Sequence, residues 1–186
     1  MRLAWLTIYF GVLAWSAYQP KDWATWVLEV APALIGLLVL ALTWSRFRLT
    51  PLLYGLILFH CIILMIGGHY TYAEVPLFDR LGSERNNYDK LGHFVQGFVP
   101  AIIAREVLLR LQVVSTRAWL NTIVVAFCLA LSALYELLEW LVALLAGASS
   151  EAFLGTQGYV WDTQSDMAMA LLGACCALAM LGAVHD

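Results

Sequence analysis

The stretch AWLNTIVVAFCLALSALYELLEWLVALLA, residues 118–146, decides the class of fold. Its only charged side chains are Glu136 and Glu139. A helix needs about 20 mainly apolar residues to cross the hydrocarbon core of a bilayer. The run therefore predicts a membrane-spanning helix that carries two acids. Ionisable groups at membrane depth are costly, so each one marks a candidate functional site.

The composition of the whole chain supports a membrane protein. Of its 186 residues, 62% are hydrophobic and 12% are charged, whereas soluble domains have about 25% charged residues. The net charge of −3 gives no indication of nucleic-acid binding. Six apolar runs predict an all-α, polytopic membrane helix bundle with six transmembrane helices in one domain, 1–186. The predicted helices are 3–19, 23–45, 51–68, 90–112, 118–146 and 163–183.

The basic residues predict how the bundle is oriented. Lys and Arg are enriched in cytoplasmic loops. If the N-terminus is inside, six arginines fall on the inner side: Arg2, Arg46, Arg48, Arg105, Arg110 and Arg117. The outer side has fewer basic residues: Lys21, Arg80, Arg85 and Lys90. We therefore expect both termini in the cytoplasm and the two longest loops outside.

Helical pairs of ionisable residues fall at one depth under this topology. The pairs are Asp89 with His93, Glu136 with Glu139, and Asp162 with Asp166. Residues three or four apart share a face of a helix. At 1.5 Å rise per residue, all three pairs fall near the outer surface. We therefore predict a polar cavity that opens toward the outer face.

Carboxylates and imidazoles from several helices commonly build a metal site inside a bundle. Oxygen-rich ligands with imidazole suit Mg, Mn, Zn or Fe. A bound divalent cation would also relieve the repulsion between neighbouring acids such as Glu136 and Glu139. The candidate ligands are His69, Asp89, His93, Glu136, Glu139, Asp162 and Asp166.

Structural roles are the alternative for the same residues. An Asp at a helix start is often an N-cap, and Asp89 and Asp162 both fit that role. Glu136 and Glu139 could instead pair with Lys90, Arg80 or Arg85, since intramembrane acids are often paired. Glu29 and His60 have no helical partner and are interpreted as packing or relay residues.

Four segments resemble the YjdF-type bacterial inner-membrane proteins (DUF2238). They are GGHYTYAEVPLFD, NNYDKLGHFVQGFVPAIIARE, SALYELLEW and FLGTQGYVWDTQSDM, and the resemblance covers residues 54–173. Membership implies a small multi-pass protein of the bacterial inner (cytoplasmic) membrane. It supplies no established activity.

A shorter likeness is to VanZ-like membrane proteins, which are linked to glycopeptide resistance and the cell envelope. Asp89, Lys90 and His93 match their DKxxH motif. Glu136 or Glu139 would match a later Glu-containing helix, and Asp162 or Asp166 the final Asp-bearing segment. The chain departs from this pattern in YELLEW and in the GTQG segment.

These observations lead to a first hypothesis of a metal-dependent membrane hydrolase or transferase acting on a lipid or polyprenyl phosphate. The catalytic candidates are Glu136, Glu139 and His93, with one of the glutamates as general base. Lys90, Arg80 or Arg85 would contact the anionic head group. The alternatives are an ion- or proton-coupled transporter and a non-catalytic envelope scaffold.

Overall fold

The computed structural model describes residues 2–78, 85–146 and 157–182. Within these ranges the chain forms α-helices and connecting turns. The helices are α1 (Arg2–Ser16), α2 (Trp23–Thr43), α3 (Pro51–Tyr70), α4 (Tyr88–Arg110), α5 (Arg117–Ala146) and α6 (Asp162–Leu181). Each corresponds to one predicted segment. The all-α prediction is therefore confirmed for the described residues.

Four of the described helices are long and apolar enough to cross a membrane: α2, α3, α5 and α6. The other two differ for physical reasons. Helix α1 has 15 residues and is about 22 Å long at 1.5 Å per residue, shorter than a typical hydrocarbon core. Helix α4 is long enough, but it carries five charged side chains, Asp89, Lys90, Arg105, Glu106 and Arg110. The crossing of α1 and α4 stays a prediction.

Two helix starts are fixed by side-chain caps. The Asp22 carboxylate accepts a hydrogen bond from the Thr25 backbone N–H at 2.7 Å, which satisfies one of the unpaired donors at the start of α2. Thr50 caps α3 in the same way, ahead of Pro51 at the first helical position. Both boundaries coincide with the predicted starts at residues 23 and 51.

Helix α4 occupies the centre of the bundle, because it packs against α3, α5 and α6. Its closest approach is to α6, at two glycines. A Cβ atom at Gly97 would lie 1.8 Å from the Ala170 carbonyl oxygen, and one at Gly173 would lie 2.0 Å from the Phe94 carbonyl oxygen. Small residues let membrane helices approach this closely. The crossing sets the position of α6 side chains relative to those of α4.

The arginine-rich end of the bundle is closed by hydrogen bonds. The buried Glu106 carboxylate accepts from the Thr50 hydroxyl at 2.9 Å and from Arg110 Nη1 at 2.6 Å. Arg110 Nη1 also donates to the Arg48 carbonyl oxygen. Arg105 is buried and donates to the Gly182 carbonyl oxygen at 2.9 Å. These bonds join α3, α4 and the end of α6.

Candidate cation centre and adjoining cavity

The first turns of α4 place Asp89 and His93 on one helix face, as predicted, and Gln96 lies on the same face. His93 Nε2 lies 3.5 Å from Asp89 Oδ1, and His93 Nδ1 lies 2.9 Å from Gln96 Oε1. With the Gln96 oxygen facing Nδ1, the His93 tautomer that carries its proton on Nδ1 makes this hydrogen bond. Nε2 of a neutral His93 then presents its lone pair to the acids. Histidine ligands of metals are commonly oriented by such a second hydrogen bond.

Helix α6 contributes Asp166 to the same point. One donor atom from each of Asp89, His93 and Asp166 lies within 4.8 Å of the other two. Metal–ligand distances of about 2.0–2.2 Å are usual for imidazole and carboxylate ligands of zinc. Small side-chain shifts would therefore let one ion contact all three donors. Asp166 reaches this position because α4 and α6 cross at Gly97 and Gly173.

Glu136 completes the group from α5. Its Oε1 atom lies 3.8 Å from His93 Nε2, and its side chain is buried. Among the described residues, neither Glu136 Oε1 nor Asp166 Oδ1 has a hydrogen-bond partner, although both atoms are buried. A buried acceptor without a donor is costly. A proton or a cation at this point would remove that cost.

Arg85 is the basic residue that pairs with the acids here. Its Nη1 atom lies 2.5 Å from Asp162 Oδ1, and its Nη2 atom lies 3.7 Å from Asp89 Oδ2. Among the described residues, Asp89, Asp162, Asp166 and Glu136 together face one guanidinium and one imidazole. If all four carboxyls are ionised, their negative charge exceeds the positive charge of these two partners. A proton or a divalent cation would reduce that excess.

The cap-only interpretation of two acids is wrong. The N-cap of α4 is Asn87 and that of α6 is Trp161. Asp89 and Asp162 lie inside the first turns, and their carboxylates face Arg85. The sequence suggested a basic partner for Glu136 and Glu139, whereas Arg85 pairs with Asp89 and Asp162 instead. Within the described ranges, the ionic neighbour of Glu136 is His93.

We call Asp89, His93, Glu136 and Asp166 the candidate cation centre. A cavity of about 330 Å³ adjoins this centre and lies between α2, α3, α4 and α5. Asp89, His93 and Gln96 line it on the side of the centre. The opposite walls carry Glu29, His60, Tyr72, Tyr135 and Glu139 together with apolar residues. Glu139 therefore faces the cavity, whereas Glu136 faces His93. That the cavity opens to the outer side of the membrane stays a prediction.

The partner of Glu29 comes from a distant helix. The Tyr135 hydroxyl donates to Glu29 Oε2 at 2.9 Å, which joins α5 to α2. The sequence pattern gave Glu29 no partner, because the two residues are 106 positions apart. Their adjacency depends on the packing of both helices around α4 and α3.

Three predicted residues lie away from the centre or outside the described ranges. The structure does not bring His69 to it: the His69 ring stacks on Trp15, and Nδ1 lies 3.0 Å from the Ser16 carbonyl oxygen. Lys90 lies 5.3 Å from the Tyr159 ring centroid, which Arg85 also approaches. Arg80 lies outside the described residues.

Asn86, just before α4, and Gln157, before α6, are joined by two hydrogen bonds. The sequence patterns did not predict this contact. Gln157 accepts from the Asn86 backbone N–H at 2.8 Å and donates to the Asn86 carbonyl oxygen at 2.9 Å. These bonds place Arg85 beside Asp162. The segment FLGTQGYVWDTQSDM contains Gln157, but nothing in its spacing identifies the partner.

Comparison with known proteins agrees with the fold. The chain matches the family model "Predicted membrane protein (DUF2238)" over residues 1–186. It is 49% identical over 189 residues to the inner membrane protein YjdF of Escherichia coli (strain K12), covering 100% of this chain and 88% of that protein. No solved structure matches. With its long apolar helices, the chain is a multi-pass inner-membrane protein and belongs to the DUF2238 family.

Proposed function

We propose that this protein is a metal-dependent membrane enzyme, a hydrolase or transferase that acts on a lipid or polyprenyl phosphate. The observation that carries the proposal is the pair of buried acceptors, Asp166 Oδ1 and Glu136 Oε1, which lack hydrogen-bond partners among the described residues. They lie beside Asp89 and His93, which supply further donor atoms. One divalent cation would satisfy this set.

The ligands in this proposal are Asp89, His93 and Asp166, with Mg, Mn, Zn or Fe as the candidate ions. A cation held there would polarise a phosphoryl oxygen of the substrate. Gln96 orients the His93 ring through its bond to Nδ1. Glu136 is the general base, because its unpartnered oxygen faces the same point. It would take the proton of an attacking water as the new P–O bond forms and the bond to the leaving oxygen breaks.

Two basic side chains that share the Tyr159 ring are the candidates for contact with an anionic head group in this proposal. Arg85 and Lys90 both lie close to the Tyr159 ring. Arg85 is already paired with Asp162, so in this proposal Lys90 makes the direct phosphate contact and Arg85 acts mainly by its charge. Arg80 is a further candidate from the sequence.

The membrane orientation belongs to the same proposal. All six helices, α1 and α4 included, cross the bilayer. The arginine-rich end lies in the cytoplasm, and the acidic end, which carries Asp89, Asp162 and Asp166, lies on the periplasmic face. The contacts of Arg110 with Glu106 and with the Arg48 carbonyl oxygen gather basic residues at one end. A reporter that is active only in the cytoplasm, fused after Asp186, tests this orientation. We expect the reporter to be active. A stable fusion without reporter activity would indicate the opposite orientation.

Metal analysis of the purified protein tests the centre. After incubation with Mg, Mn, Zn or Fe and removal of free ion, we expect about one bound divalent ion per chain. Asp166→Asn removes one ligand oxygen at nearly constant volume and is expected to lose the ion. Glu106→Gln, which alters a buried carboxylate at the other end, should keep it. Equal metal content in the wild type and Asp166→Asn, or none in either, would overturn the metal centre.

Turnover is tested with the metal-loaded protein and a polyprenyl or diacylglycerol phosphate in mixed micelles. Phosphate release that falls at least about a hundredfold in Glu136→Gln, with metal content unchanged, is the expected result for a general base. Metal binding without turnover of either phosphate would leave a cation site and remove this reaction.

Transport is a second candidate, favoured by the ionisable lining of the cavity. Glu29, His60 and Glu139 extend the polar surface beyond the centre, and chains of such residues serve as proton or cation pathways. A flux assay in proteoliposomes separates the two functions. Cation- or pH-driven uptake that Glu139→Gln abolishes would favour transport over catalysis.

A further inference from the structure

The cavity beside the cation centre is bounded by helices that expose apolar side chains to the lipid. Helix α2 packs on α3, whereas α5 packs on α4 and α6. Both α2 and α5 line the cavity, through Pro32, Ile35 and Gly36 on one side and Leu131 on the other. The Ile35 side chain is 60% exposed. The rim between α2 and α5 therefore faces the hydrocarbon of the bilayer.

The space at this rim is open. A Cβ atom at Gly36 would meet no atom within 4 Å. The Tyr135–Glu29 hydrogen bond joins α2 to α5 beside the acids that line the cavity. Gly36 lies about two turns further along α2. An acyl chain could leave the cavity past Gly36 while the head group stays inside.

The ionisable side chains of the lining are mostly acidic or aromatic. Its ionisable residues are three acids, two histidines and two tyrosines: Glu29, Asp89, Glu139, His60, His93, Tyr72 and Tyr135. None of the described residues that line it is Lys or Arg. Acidic oxygens beside aromatic rings are the usual environment for a bound ammonium group. The cavity volume of about 330 Å³ is in the range of small-ligand sites, roughly 300–1,000 Å³.

We infer that the cavity binds an amphiphile with an ammonium in its head group. The ammonium lies against Glu139 and Glu29 beside the Tyr135 ring, and the apolar tail leaves between α2 and α5 past Gly36. This inference specifies the substrate of the proposed function. Its statement about the phosphate group, given next, rests on that proposed function. Because Asp89 and His93 line both spaces, the phosphate of the same head group would reach the cation centre. The substrate class is then an aminoalkyl phospholipid.

Binding of matched single-chain probes tests the ammonium half without metal. The intact protein in a neutral maltoside detergent with EDTA is titrated with dodecylammonium, dodecanol and dodecyl sulfate. Binding is followed by native mass spectrometry. We expect dodecylammonium to bind at least about tenfold more tightly than dodecanol, and dodecyl sulfate to bind least. Equal affinity for dodecylammonium and dodecanol would overturn the inference.

Two variants locate the site. Glu139→Gln should weaken dodecylammonium binding about tenfold and leave dodecanol unchanged, since only the charge is removed. Gly36→Leu fills the open rim and should weaken both probes by a similar factor. Glu106→Gln is the control, because that carboxylate lies at the other end of the bundle. Unchanged ammonium binding in Glu139→Gln, or in Gly36→Leu, contradicts the proposed placement.

A lipid comparison with metal present separates the two proposals. Phosphatidylethanolamine should bind more tightly than phosphatidylglycerol, and Asp166→Asn should weaken it. Dodecylammonium could bind as expected while the affinity for phosphatidylethanolamine changes neither with metal nor in Asp166→Asn. In that case the phosphate contact and the proposed cation centre are contradicted, and the ammonium site stands. If the protein holds metal but shows no ammonium preference, the cavity inference fails alone.

Discussion

The two ends of the bundle treat a buried carboxylate in opposite ways. At the arginine-rich end, Glu106 accepts from the Thr50 backbone and hydroxyl and from Arg110. At the acidic end, Asp166 is equally buried, but its Oδ1 atom has no hydrogen-bond partner among the described residues. Glu136 Oε1 is also buried and has no hydrogen-bond partner among the described residues. Both ends belong to the same central helix pair, α4 and α6.

The difference separates a structural acid from a candidate functional one. A carboxylate whose oxygens are all bonded stabilises the helices that supply its donors. A buried carboxylate without donors costs stability unless a proton or a cation accompanies it. The arginine-rich end therefore holds α3 and α4 together. The acidic end keeps acceptor atoms available for a ligand.

The largest expected effect comes from the crossing that both ends share. Gly97→Ala places a Cβ atom 1.8 Å from the Ala170 carbonyl oxygen, so α4 and α6 must separate. We expect a loss of more than about 4 kcal/mol in the free energy of unfolding, measured by thermal unfolding in detergent. Gly55→Ala is the matched control, since a Cβ there meets nothing within 4 Å. Equal stability of both variants would contradict the close crossing.

Replacing the two acids by the same residue tests the comparison directly. Glu106→Leu removes one acceptor of Thr50 and of Arg110, and we expect it to lower the unfolding free energy by about 1–3 kcal/mol. Asp166→Leu removes an unsatisfied acceptor and should leave the metal-free protein as stable as the wild type or more so. Thermal unfolding with EDTA provides the measurement. A similar loss in both variants would show that the acidic end is structural too.

Gln96 provides a smaller test at the acidic end. Gln96→Met removes the acceptor for His93 Nδ1 without removing a proposed ligand. Outer-shell changes of this kind typically weaken metal binding 10- to 100-fold, and isothermal titration with Zn or Mn would measure it. Gln112→Met alters a glutamine beyond the end of α4 and should have no effect. Unchanged affinity in Gln96→Met would remove Gln96 from the support of the centre.

The smallest effect concerns Asp22, outside the spanning segments. Hydrogen bonds from Thr25 lower the pKa of this N-cap carboxyl below its usual value. A lowered folded pKa means that the stabilisation is complete above the unfolded pKa and is lost as pH falls through the folded pKa. At neutral pH, Asp22→Ala should cost about 0.5–2 kcal/mol.

The difference between Asp22→Ala and the wild type should narrow in acid, and thermal unfolding at pH 7 and near pH 3 would show it. Asp22→Asn, which caps without titrating, is the control and should lose less stability at neutral pH than Asp22→Ala. A difference between Asp22→Ala and the wild type that widened in acid would contradict the cap.

Sequence patterns were sufficient for the helices and for the α4 face of the centre. Asp89 and His93 share a face because their spacing matches the helical repeat, and the structure confirms it. Gln96 extends the same face. The spacing of Glu136 and Glu139 did not reveal that one faces His93 and the other the cavity. A helix face is wide enough for adjacent positions to contact different neighbours. Small residues at Gly97, Ala170 and Gly173 were a readable signal for the crossing, and the sequence predictions made no use of it.

The sequence by itself determined that this chain is a membrane protein of long helices with acids near one end, because hydropathy and helical spacing are local properties. Tertiary structure decided which acids have partners. Glu106 accepts hydrogen bonds from Thr50 and is paired with Arg110, and Asp162 is paired with Arg85. Among the described residues, Asp166 Oδ1 and Glu136 Oε1 have no hydrogen-bond partner. Partners 77 or 106 positions apart become neighbours only when helices cross. The free energy of a buried charge depends on those neighbours.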